Sequence, residues 1–366
     1  MSWRDGLELT RVINASGKMT HLGGTAVTAD VAGSMAEAAQ DYFDMEELIV
    51  ESGKKIAALV GAEAACPTVG AAAGIALSVA SCMTGTEEAL IKKLPVTEGL
   101  RNRVIIQKGH AVDFGAPVTQ MIRIPGGIPV EVGCANMVTR ADVEEAIDED
   151  TAALIYVKSH HCVQKGMLSV EEYVEIAHAH GLPVIVDAAA EEDLHKYIDL
   201  GADLVVYSGA KAVGGPTSGF VCGKKGLIDG VRLQYRGIGR SMKVGKEAIA
   251  GLLCALEKYV AGNVDALSER EAVVETIMRG ISGIRGIKVS KKYDEAGRPI
   301  PRVWMEFTED ARISAREFVS QLRQGSVAIF TRDHYLNLNC VAIDPRPLRP
   351  QDSEIIIKRI RELLEG

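Results

Sequence analysis

The sequence lacks the features that mark secreted, membrane-spanning or metal-binding proteins. Its seven cysteines are scattered and never form a C-x-x-C pair, so neither a disulfide framework nor a zinc site is expected. The N-terminus has no apolar signal core, and the longest nearly apolar run, residues 69–83, is too short to span a bilayer. We therefore expect a cytoplasmic protein with no membrane attachment and no metal.

Positive charge and aromatic side chains are also scarce. The 366 residues carry a net charge of −8, which disfavours wholesale binding of nucleic acid. Aromatic residues make up only 5% of the chain whereas glycine occurs 37 times, and small residues suit tight turns around a ligand. The length exceeds that of one ordinary core, so the chain is expected to fold as a large and a smaller domain.

Continuous Val/Ile runs alternate with helical segments through the middle of the chain. Strands are predicted at residues 104–106, 152–157, 183–187, 204–207 and 219–222. Such runs indicate strands that are buried on both faces of a mainly parallel sheet. From about residue 268 the pattern predicts a small α+β domain. We expect an N-terminal arm over residues 1–50, a large α/β domain over 51–265 and a small C-terminal domain over 266–366.

Helices are predicted from apolar periodicity and from end signals. The segments concerned are 31–50, 71–82, 248–260, 314–323 and 352–364. Ser169 and Glu172 have the spacing of a capping box, which opens a further helix that ends at Gly181. Residues 14–24 are interpreted as an ordered loop.

A lysine in a glycine-rich loop is the most informative residue of the chain. Lys211 follows Ser208-Gly209-Ala210 at the end of the strand at 204–207. Lysine forms imines with carbonyl cofactors, so this setting predicts attachment of pyridoxal phosphate (PLP). Asp187 ends the preceding strand, and the spacing between the two residues leaves room for one helix and one strand. Both are then expected at the carboxyl edge of one sheet, where Asp187 would pair with the pyridine nitrogen. Alone, Asp187 would be read as a helix N-cap.

Two further features predict a phosphate cup. Gly70 and Ala71 begin an alanine-rich helix whose first backbone N–H groups would bind an anion. Ser208, three residues before the lysine, would donate its hydroxyl to the same phosphate. Taken alone, the helix start also fits close packing of small residues on a sheet, and Ser208 also fits a turn.

Histidines also follow predicted strands. His110 comes after the strand at 104–106 and is interpreted as stacking on the cofactor ring or, equally, as a surface or capped histidine. His160 and His161 follow the strand that ends at Val157, and one of them is expected to contact cofactor or substrate. We take His160 as the candidate catalytic residue. No third ligand follows at the usual spacing, so no metal site is predicted.

Basic residues form two clusters framed by glycine and proline. One contains Arg240 and Lys243, and the other contains Arg332 and Arg346. Guanidinium groups bind carboxylates and phosphates in a bidentate way. These four residues are therefore candidates for binding the carboxylate and phosphate of a substrate, although solvated surface charge is the more ordinary role of such residues.

The sequence around Lys211 resembles that of a known family. The pattern Ser-Gly-x-Lys-x-x-Gly-Gly-Pro, with Asp187 upstream, and the stretch 239–247 are similar to fold type I PLP enzymes of the selenocysteine-synthase-like (SelA-like) branch. Within the branch, residues 14–24, 61–65, 70–74 and 343–346 are most similar to the D-glucosaminate-6-phosphate ammonia-lyases. Selenocysteine synthases carry an extra N-terminal domain that binds tRNA, for which this chain is expected to have no room. They also usually have Gln where Thr217 stands.

The resemblance implies a fold and a set of roles. The fold would be α/β of the aspartate aminotransferase-like type, with a mainly parallel central sheet and a small C-terminal α+β domain. Lys211 would hold PLP and act as acid and base at Cα, Asp187 would bind the pyridine nitrogen, and Gly70, Ala71 and Ser208 would hold the phosphate. The branch also implies a homodimer or larger ring with active sites at subunit interfaces.

The implied reaction is an α,β-elimination on a phosphorylated amino sugar acid, D-glucosaminate 6-phosphate, which gives 2-keto-3-deoxygluconate 6-phosphate and ammonia. The same lysine and aspartate would also serve a PLP racemase or aldolase that acts on a hydroxy amino acid. An L-seryl-tRNA selenium transferase-like activity is disfavoured by charge and length, and a non-enzymatic protein of this fold is a further alternative. The lyase is favoured over the racemase by the resemblance alone, because the two reactions share their first steps.

Overall fold

The computed structural model describes residues 3–262, 267–294 and 297–366. They divide into two compact units, a larger one within residues 25–262 and a smaller one within residues 3–24, 267–294 and 297–366. The expected N-terminal arm over residues 1–50 is therefore divided between the two units after residue 24. The expected boundary between residues 265 and 266 lies outside the described residues, so the domain limits stay a prediction.

Strands and helices alternate along most of the chain. The strands are β1 (Arg11–Ala15), β2 (Ala64–Thr68), β3 (Arg103–Gln107), β4 (Ile128–Val132), β5 (Thr151–Val157), β6 (Val184–Asp187), β7 (Leu204–Ser208), β8 (Gly219–Gly223), β9 (Ile287–Tyr293), β10 (Pro301–Phe307), β11 (Val327–Thr331) and β12 (Cys340–Ile343). The helices are α1 (Ala29–Gln40), α2 (Met45–Val60), α3 (Ala71–Thr84), α4 (Glu88–Lys93), α5 (Val118–Arg123), α6 (Arg140–Glu144), α7 (Val170–Ala179), α8 (Lys196–Asp199), α9 (Lys225–Leu233), α10 (Lys246–Val260), α11 (Leu267–Gly280), α12 (Ala315–Leu322) and α13 (Asp352–Leu364).

The larger unit is built on a seven-stranded sheet in the order β2-β8-β7-β6-β5-β3-β4. Neighbouring strands from β7 to β4 are parallel, whereas β8 is antiparallel to both β7 and β2. β2 therefore points in the same direction as β7. The carboxyl ends of β2, β3, β5, β6 and β7 consequently meet at one edge of the sheet, and the predicted mainly parallel sheet is confirmed.

Both faces of this sheet are buried, as its unbroken apolar strands predict. In β6, Val184 and Val186 belong to one hydrophobic core and Ile185 belongs to the other. Helix α3 packs very closely on the second face, because a Cβ at Gly74 would lie 2.7 Å from Val206 Cγ1. The small residues of α3 therefore do pack on the sheet.

The smaller unit combines two sheets with helices. β1 pairs with β11 in parallel, and β10 lies between β12 and β9 in an antiparallel sheet. Buried side chains such as Phe307, Phe318 and Ile356 join strands to α12 and α13 in one core. Asn14 and Ala15 belong to β1, so the start of the predicted loop at 14–24 is a strand, and its partner is distant in the sequence.

The predicted helices are observed at closely similar bounds, with one exception. The segment at 31–50 is two helices, α1 and α2, separated by residues 41–44. Asp44 explains the break, because its Oδ1 accepts the N–H groups of Glu46 and Glu47 at 2.9 and 3.1 Å and so caps α2. The capping box predicted at Ser169 is present at the start of α7.

Candidate active site

The residues predicted to bind the cofactor, together with His160, lie at the carboxyl edge of the sheet in the larger unit. They are Gly70 after β2, His110 after β3, His160 after β5, Asp187 at the end of β6, and Ser208 and Lys211 at and after the end of β7. In a parallel sheet these strand ends are neighbours, so residues far apart in the sequence are brought to one place.

The loop that carries Lys211 depends on glycine. The N–H of Gly209 donates to the carbonyl oxygen of Ser218 at 2.9 Å. A Cβ at Gly209 would lie 2.3 Å from Ser218 Oγ, so a larger residue does not fit. The hydroxyl of Thr25 donates to the carbonyl oxygen of Ala210 at 2.6 Å. The backbone of Ala210, which precedes the lysine, is therefore held in place by the side chain of Thr25.

Asp187 is a buried carboxylate that interacts with Lys211. The residue is 6% exposed, and its Oδ1 accepts the N–H of Ala189 at 3.1 Å. Burial raises the pKa of Asp187, and the positive charge of Lys211 opposes this rise. A buried carboxylate is stabilised by a cation that donates a hydrogen bond to it. The protonated pyridine nitrogen of PLP would be such a cation, so the residue fits the cofactor.

The start of α3 has the geometry of an anion site. Gly70 occupies the N-cap position with no side-chain hydrogen bond to the first turn. A Cβ at Gly70 would meet no atom within 4 Å, so the space beside these backbone N–H groups is open to a ligand. The N–H groups and the helix dipole both favour a phosphate there.

Ser208 lies beside this helix start. Gly219 of β8 pairs with Ser208 on one side and with Thr68 on the other. A Cβ at Gly219 would lie 2.9 Å from the carbonyl carbon of Gly70 and 3.0 Å from the nitrogen of Ala71, so only glycine lets β8 and α3 approach so closely. The three residues of the predicted phosphate cup are thus at one edge of the sheet.

His110 is buried, at 2% exposure, so its reading as a surface histidine is wrong. Its Nδ1 accepts the N–H of Val157 at 3.4 Å, which places the ring proton on Nε2. Burial, and then the charge of Lys158, lower the pKa of His110 to about 4. The imidazole is therefore neutral at pH 7. Its ring packs edge-on against Tyr156 with 4.5 Å between centroids.

His160 lies in the turn after β5, with 4.0 Å between its ring centroid and that of His161. The residue is partly buried and sits at the same sheet edge as Asp187. Cys162 follows in this turn, and burial together with the charge of Asp187 raises its pKa to about 12. Cys162 is therefore a protonated thiol close to the site, a neighbour that the scattered cysteine pattern gave no reason to expect.

Arg240 and Lys243 line a cavity of about 290 Å³ in the larger unit. Its other walls come from Met45, Glu46, Ile49, Arg232, Tyr235, Arg236 and Val244. Glu46 lies 3.3 Å from Arg232 and 2.7 Å from Arg236, so one carboxylate faces four cations. This excess of positive charge suits an anionic ligand. Glu46 and Arg232 could not be predicted as part of this cavity, because they lie in segments that are far apart in the sequence.

Arg332 and Arg346 lie in the smaller unit, in a cluster of ion pairs. Arg332 is 4% exposed and donates from Nη1 to the carbonyl oxygen of Ser16 at 3.3 Å. Arg346 donates from Nε and Nη2 to the carboxylate of Asp344 at 2.9 and 2.8 Å. Neither residue is a solvated surface charge. Asp344 was missed as a partner because only the fold shows that it is buried.

Residues 3–262, 267–294 and 297–366 contain no group of three or more His, Cys, Asp or Glu side chains that would hold a metal ion. In these ranges no helix is both long enough and apolar enough to cross a membrane. The seven cysteines are all free thiols.

Comparison with known proteins identifies relatives along almost the whole chain. A family model described as SelA, L-seryl-tRNA selenium transferase, matches residues 12–329. A D-glucosaminate-6-phosphate ammonia lyase from Salmonella typhimurium is 43% identical over 360 residues, which cover 98% of this chain and 97% of the relative. A 5'-C-glycyluridine monooxygenase-decarboxylase from Streptomyces sp is 40% identical over 363 residues, which cover 98% of this chain and 91% of the relative.

A solved structure supports the same assignment. The structure of a D-glucosaminate-6-phosphate ammonia-lyase matches with a TM-score of 0.91 at 42% identity, covering 100% of this chain and 98% of that chain. The predicted aspartate aminotransferase-like fold and the predicted PLP cofactor are confirmed. The chain belongs to the SelA family of PLP-dependent fold type I enzymes.

Proposed function

We propose that this protein is a PLP-dependent ammonia-lyase that acts on D-glucosaminate 6-phosphate. The observation that carries the proposal is the 43% identity, over 98% of this chain, to a lyase of that name. In the reaction, the Cα–H bond and the bond from C3 to its hydroxyl break, and water leaves. The released enamine then takes up water and gives 2-keto-3-deoxygluconate 6-phosphate and ammonia.

The residues at the carboxyl edge of the sheet would hold the cofactor and move the proton. When bound, PLP supplies an electron sink for the pair left at Cα. Lys211 Nζ would be the attachment point in the resting enzyme and would then accept the Cα proton. Asp187 would keep the pyridine nitrogen protonated, which its burial and its position at the end of β6 support. The N–H groups at Gly70 and Ala71, with the hydroxyl of Ser208, would bind the phosphate.

The substrate's own charges would be bound by the arginine residues. Arg332 is a buried guanidinium and is proposed for the substrate carboxylate. Arg240 and Lys243 line a cavity with an excess of positive charge and are proposed for the 6-phosphate. His160, in the turn after β5, is proposed as the acid that protonates the departing hydroxyl.

A second candidate function is favoured by the other relative. The 5'-C-glycyluridine monooxygenase-decarboxylase is 40% identical over 98% of this chain, nearly as similar as the lyase. Its name describes oxygenation and decarboxylation of a glycyl-substituted uridine. Both names describe α-amino acid substrates, so Lys211 and Asp187 would serve either reaction, and the two functions must be separated by their products.

The deciding experiment supplies both substrates to the purified, PLP-loaded protein. With D-glucosaminate 6-phosphate we expect keto acid and ammonia in equal amounts and no consumption of oxygen. Oxygen uptake and release of carbon dioxide with 5'-C-glycyluridine, without keto acid from the sugar acid, would replace the lyase with the second candidate. Lys211→Ala serves as the control, because it should abolish either reaction while the protein remains folded.

We also propose that the protein is a cytoplasmic homo-oligomer, a dimer or larger, with no nucleic-acid partner. The net charge of −8 supports the last point. Light scattering of the purified protein measures the mass of the assembly directly, and a monomer would contradict the proposal. Tight binding of tRNA in a shift assay would revive the selenium transferase alternative.

A further inference from the structure

The loop after β5 carries His160, the residue proposed above as the acid for the departing hydroxyl. This loop covers residues 158–168 and lies between β5 and α7. At its start, the N–H of Lys158 donates to the carbonyl oxygen of Asp187 at 2.9 Å, which joins the loop to the carboxyl edge of the sheet. Because a loop is not held by the hydrogen bonds of a strand or helix, the position of His160 depends on the other contacts of this segment.

The turn around His160 is closed by its own hydrogen bonds. The N–H of Cys162 donates to the carbonyl oxygen of Ser159 at 3.1 Å. Nε2 of Gln164 donates to the carbonyl oxygens of Ser159 and Cys162 at 2.9 and 2.7 Å. Residues 159–164 therefore form a compact turn, and the attachment of this turn to the sheet decides where the imidazole of His160 lies.

Gln107, the last residue of β3, fixes the far end of the loop. Its Oε1 accepts the N–H of Leu168 at 2.8 Å, and its Nε2 donates to the carbonyl oxygen of the same residue at 3.4 Å. Gln107 is fully buried. A buried amide that serves both backbone groups of one residue holds that residue firmly, because leaving either group without a partner would be costly.

Gly109, two residues after Gln107, supports the middle of the loop. Its carbonyl oxygen accepts the N–H of Val163 at 3.1 Å. A Cβ at Gly109 would lie 2.7 Å from Met167 Sδ and 3.0 Å from Val163 Cβ, so the loop packs directly on this backbone. The end of β3 therefore holds the loop at two places, and the amide of Gln107 is the side chain that makes this attachment at Leu168.

We infer that Gln107 is a positioning residue for His160, because its amide holds the loop after β5 where the imidazole can protonate the departing hydroxyl. The inference rests on the proposed function for the role of His160. Gln107 was not predicted as a site residue, since its partner Leu168 is 61 residues away in the sequence. Loss of the amide should release the loop at Leu168, while Lys211, which follows a different strand, stays in place.

The test compares two rates in D2O, the exchange of the Cα hydrogen of D-glucosaminate 6-phosphate and the formation of keto acid. Exchange at Cα requires Lys211, whereas departure of the hydroxyl also requires the acid. In Gln107→Met, we expect kcat for keto acid to fall about tenfold, while the rate of exchange changes less than about twofold. A loss of folded or PLP-loaded protein would lower both rates by the same factor, so an unchanged ratio would overturn the inference.

His160→Asn shows whether Gln107 acts through the histidine. This variant should itself raise the ratio of exchange to keto acid by at least about tenfold. In Gln107→Met/His160→Asn, the ratio should exceed that of His160→Asn by less than about twofold, because the loop no longer carries the acid. Effects that multiply in the double variant would show that Gln107 acts independently of His160, and would overturn the inference.

The matched control is Gln40→Met, in the same unit. Gln40 is exposed, and its Nε2 donates to the carbonyl oxygen of Ala36 within α1 at 3.1 Å, so its loss should leave both rates unchanged. If Gln107→Met does not fold, Gln107→Asn is used instead. It keeps a buried amide that is too short to reach both groups of Leu168, and it should raise the ratio in the same direction by a smaller factor. A folded Asn variant with the wild-type ratio would contradict the inference.

Amide hydrogen exchange distinguishes failure of this inference from failure of the proposed function, because it needs no substrate. In PLP-loaded Gln107→Met, the amides of residues 158–168 should exchange at least about tenfold faster than in the wild type, and those of β6 should keep the wild-type rates. Faster exchange confined to the loop supports the inference even when D-glucosaminate 6-phosphate gives no keto acid. Loop exchange equal to that of the wild type would overturn it.

Discussion

Asp187→Asn should change the stability of the cofactor-free protein and the affinity for PLP in opposite directions. The substitution keeps the shape of the side chain, and the amide oxygen can still accept the N–H of Ala189, which lies 3.1 Å from Oδ1. What is lost is a negative charge on a residue that is 6% exposed. The effect of this charge depends on whether a cation is bound beside it.

Without cofactor, the charge on Asp187 is unfavourable. Burial raises its pKa above the ordinary value of 3.8, with Lys211 opposing, so the folded protein binds this proton more readily than the unfolded chain does. The stabilisation associated with the raised pKa is fully present below 3.8 and is lost as the pH rises through the raised value. Asp187→Asn has no charge to bury. The cofactor-free variant should therefore be at least as stable as the wild type at pH 7, with the difference shrinking toward acid pH.

With PLP bound, the negative charge on Asp187 becomes favourable, because it is paired with the protonated pyridine nitrogen. Removal of one partner from a buried charged pair costs about 3–5 kcal/mol. This cost corresponds to an affinity for PLP weaker by a factor of ~10²–10⁴. Asp193→Asn is the control, because Asp193 is exposed and its pKa is lowered chiefly by the backbone N–H of His195. That variant should lose a little stability near pH 7 whether or not the cofactor is bound, and should keep its affinity for PLP.

The assay is denaturant unfolding of both forms between about pH 5 and 8, with equilibrium dialysis for the PLP affinity. The reasoning would be refuted by an Asp187→Asn protein that is clearly less stable than the wild type without cofactor. Wild-type affinity for PLP in this variant would refute it equally.

Three further predictions follow from other parts of the larger unit. Gly219→Ala would place a Cβ 2.7 Å from the carbonyl oxygen of Tyr207 and 2.9 Å from Gly70. It should cost about 1–3 kcal/mol in denaturant unfolding and weaken PLP binding, whereas Gly226→Ala, whose Cβ would meet nothing within 4 Å, should not destabilise the protein. Arg240→Met should raise the KM for D-glucosaminate 6-phosphate about tenfold but leave the KM for unphosphorylated D-glucosaminate unchanged; an equal loss for both would remove Arg240 from the phosphate site. Because burial lowers the pKa of His110 from 6.5 to about 4, the wild type should lose stability as the pH falls between these values. His110→Asn should flatten this dependence, and an unchanged slope would contradict the assignment.

The features of the site that could be predicted from the sequence are those that local patterns mark. Asp187 and Lys211 follow unbroken apolar strands, and parallel strands present their carboxyl ends at one edge, so their convergence follows from strand order alone. Gly70 was found because a glycine before an alanine-rich helix is recognisable by itself. The structure adds the reason for Gly219, which is the close approach of β8 to the start of α3.

The parts that were missed depend on contacts between distant segments. β1 has no strong local pattern and forms through its pairing with β11. The break between α1 and α2 was missed because Tyr42 and Phe43 continue an apolar pattern, yet they are 100% and 45% exposed. Asp344 and Arg346 are two residues apart in the sequence, but the burial of their ion pair is visible only in the fold.

The central claim is that Lys211 is the residue to which PLP is attached. Reduction of the PLP-loaded protein with borohydride fixes the cofactor to its lysine, and peptide mass mapping then identifies the labelled position. We predict the added mass on the peptide that contains Lys211 and on no other lysine. Label on another lysine, with Lys211 unmodified, would contradict the account.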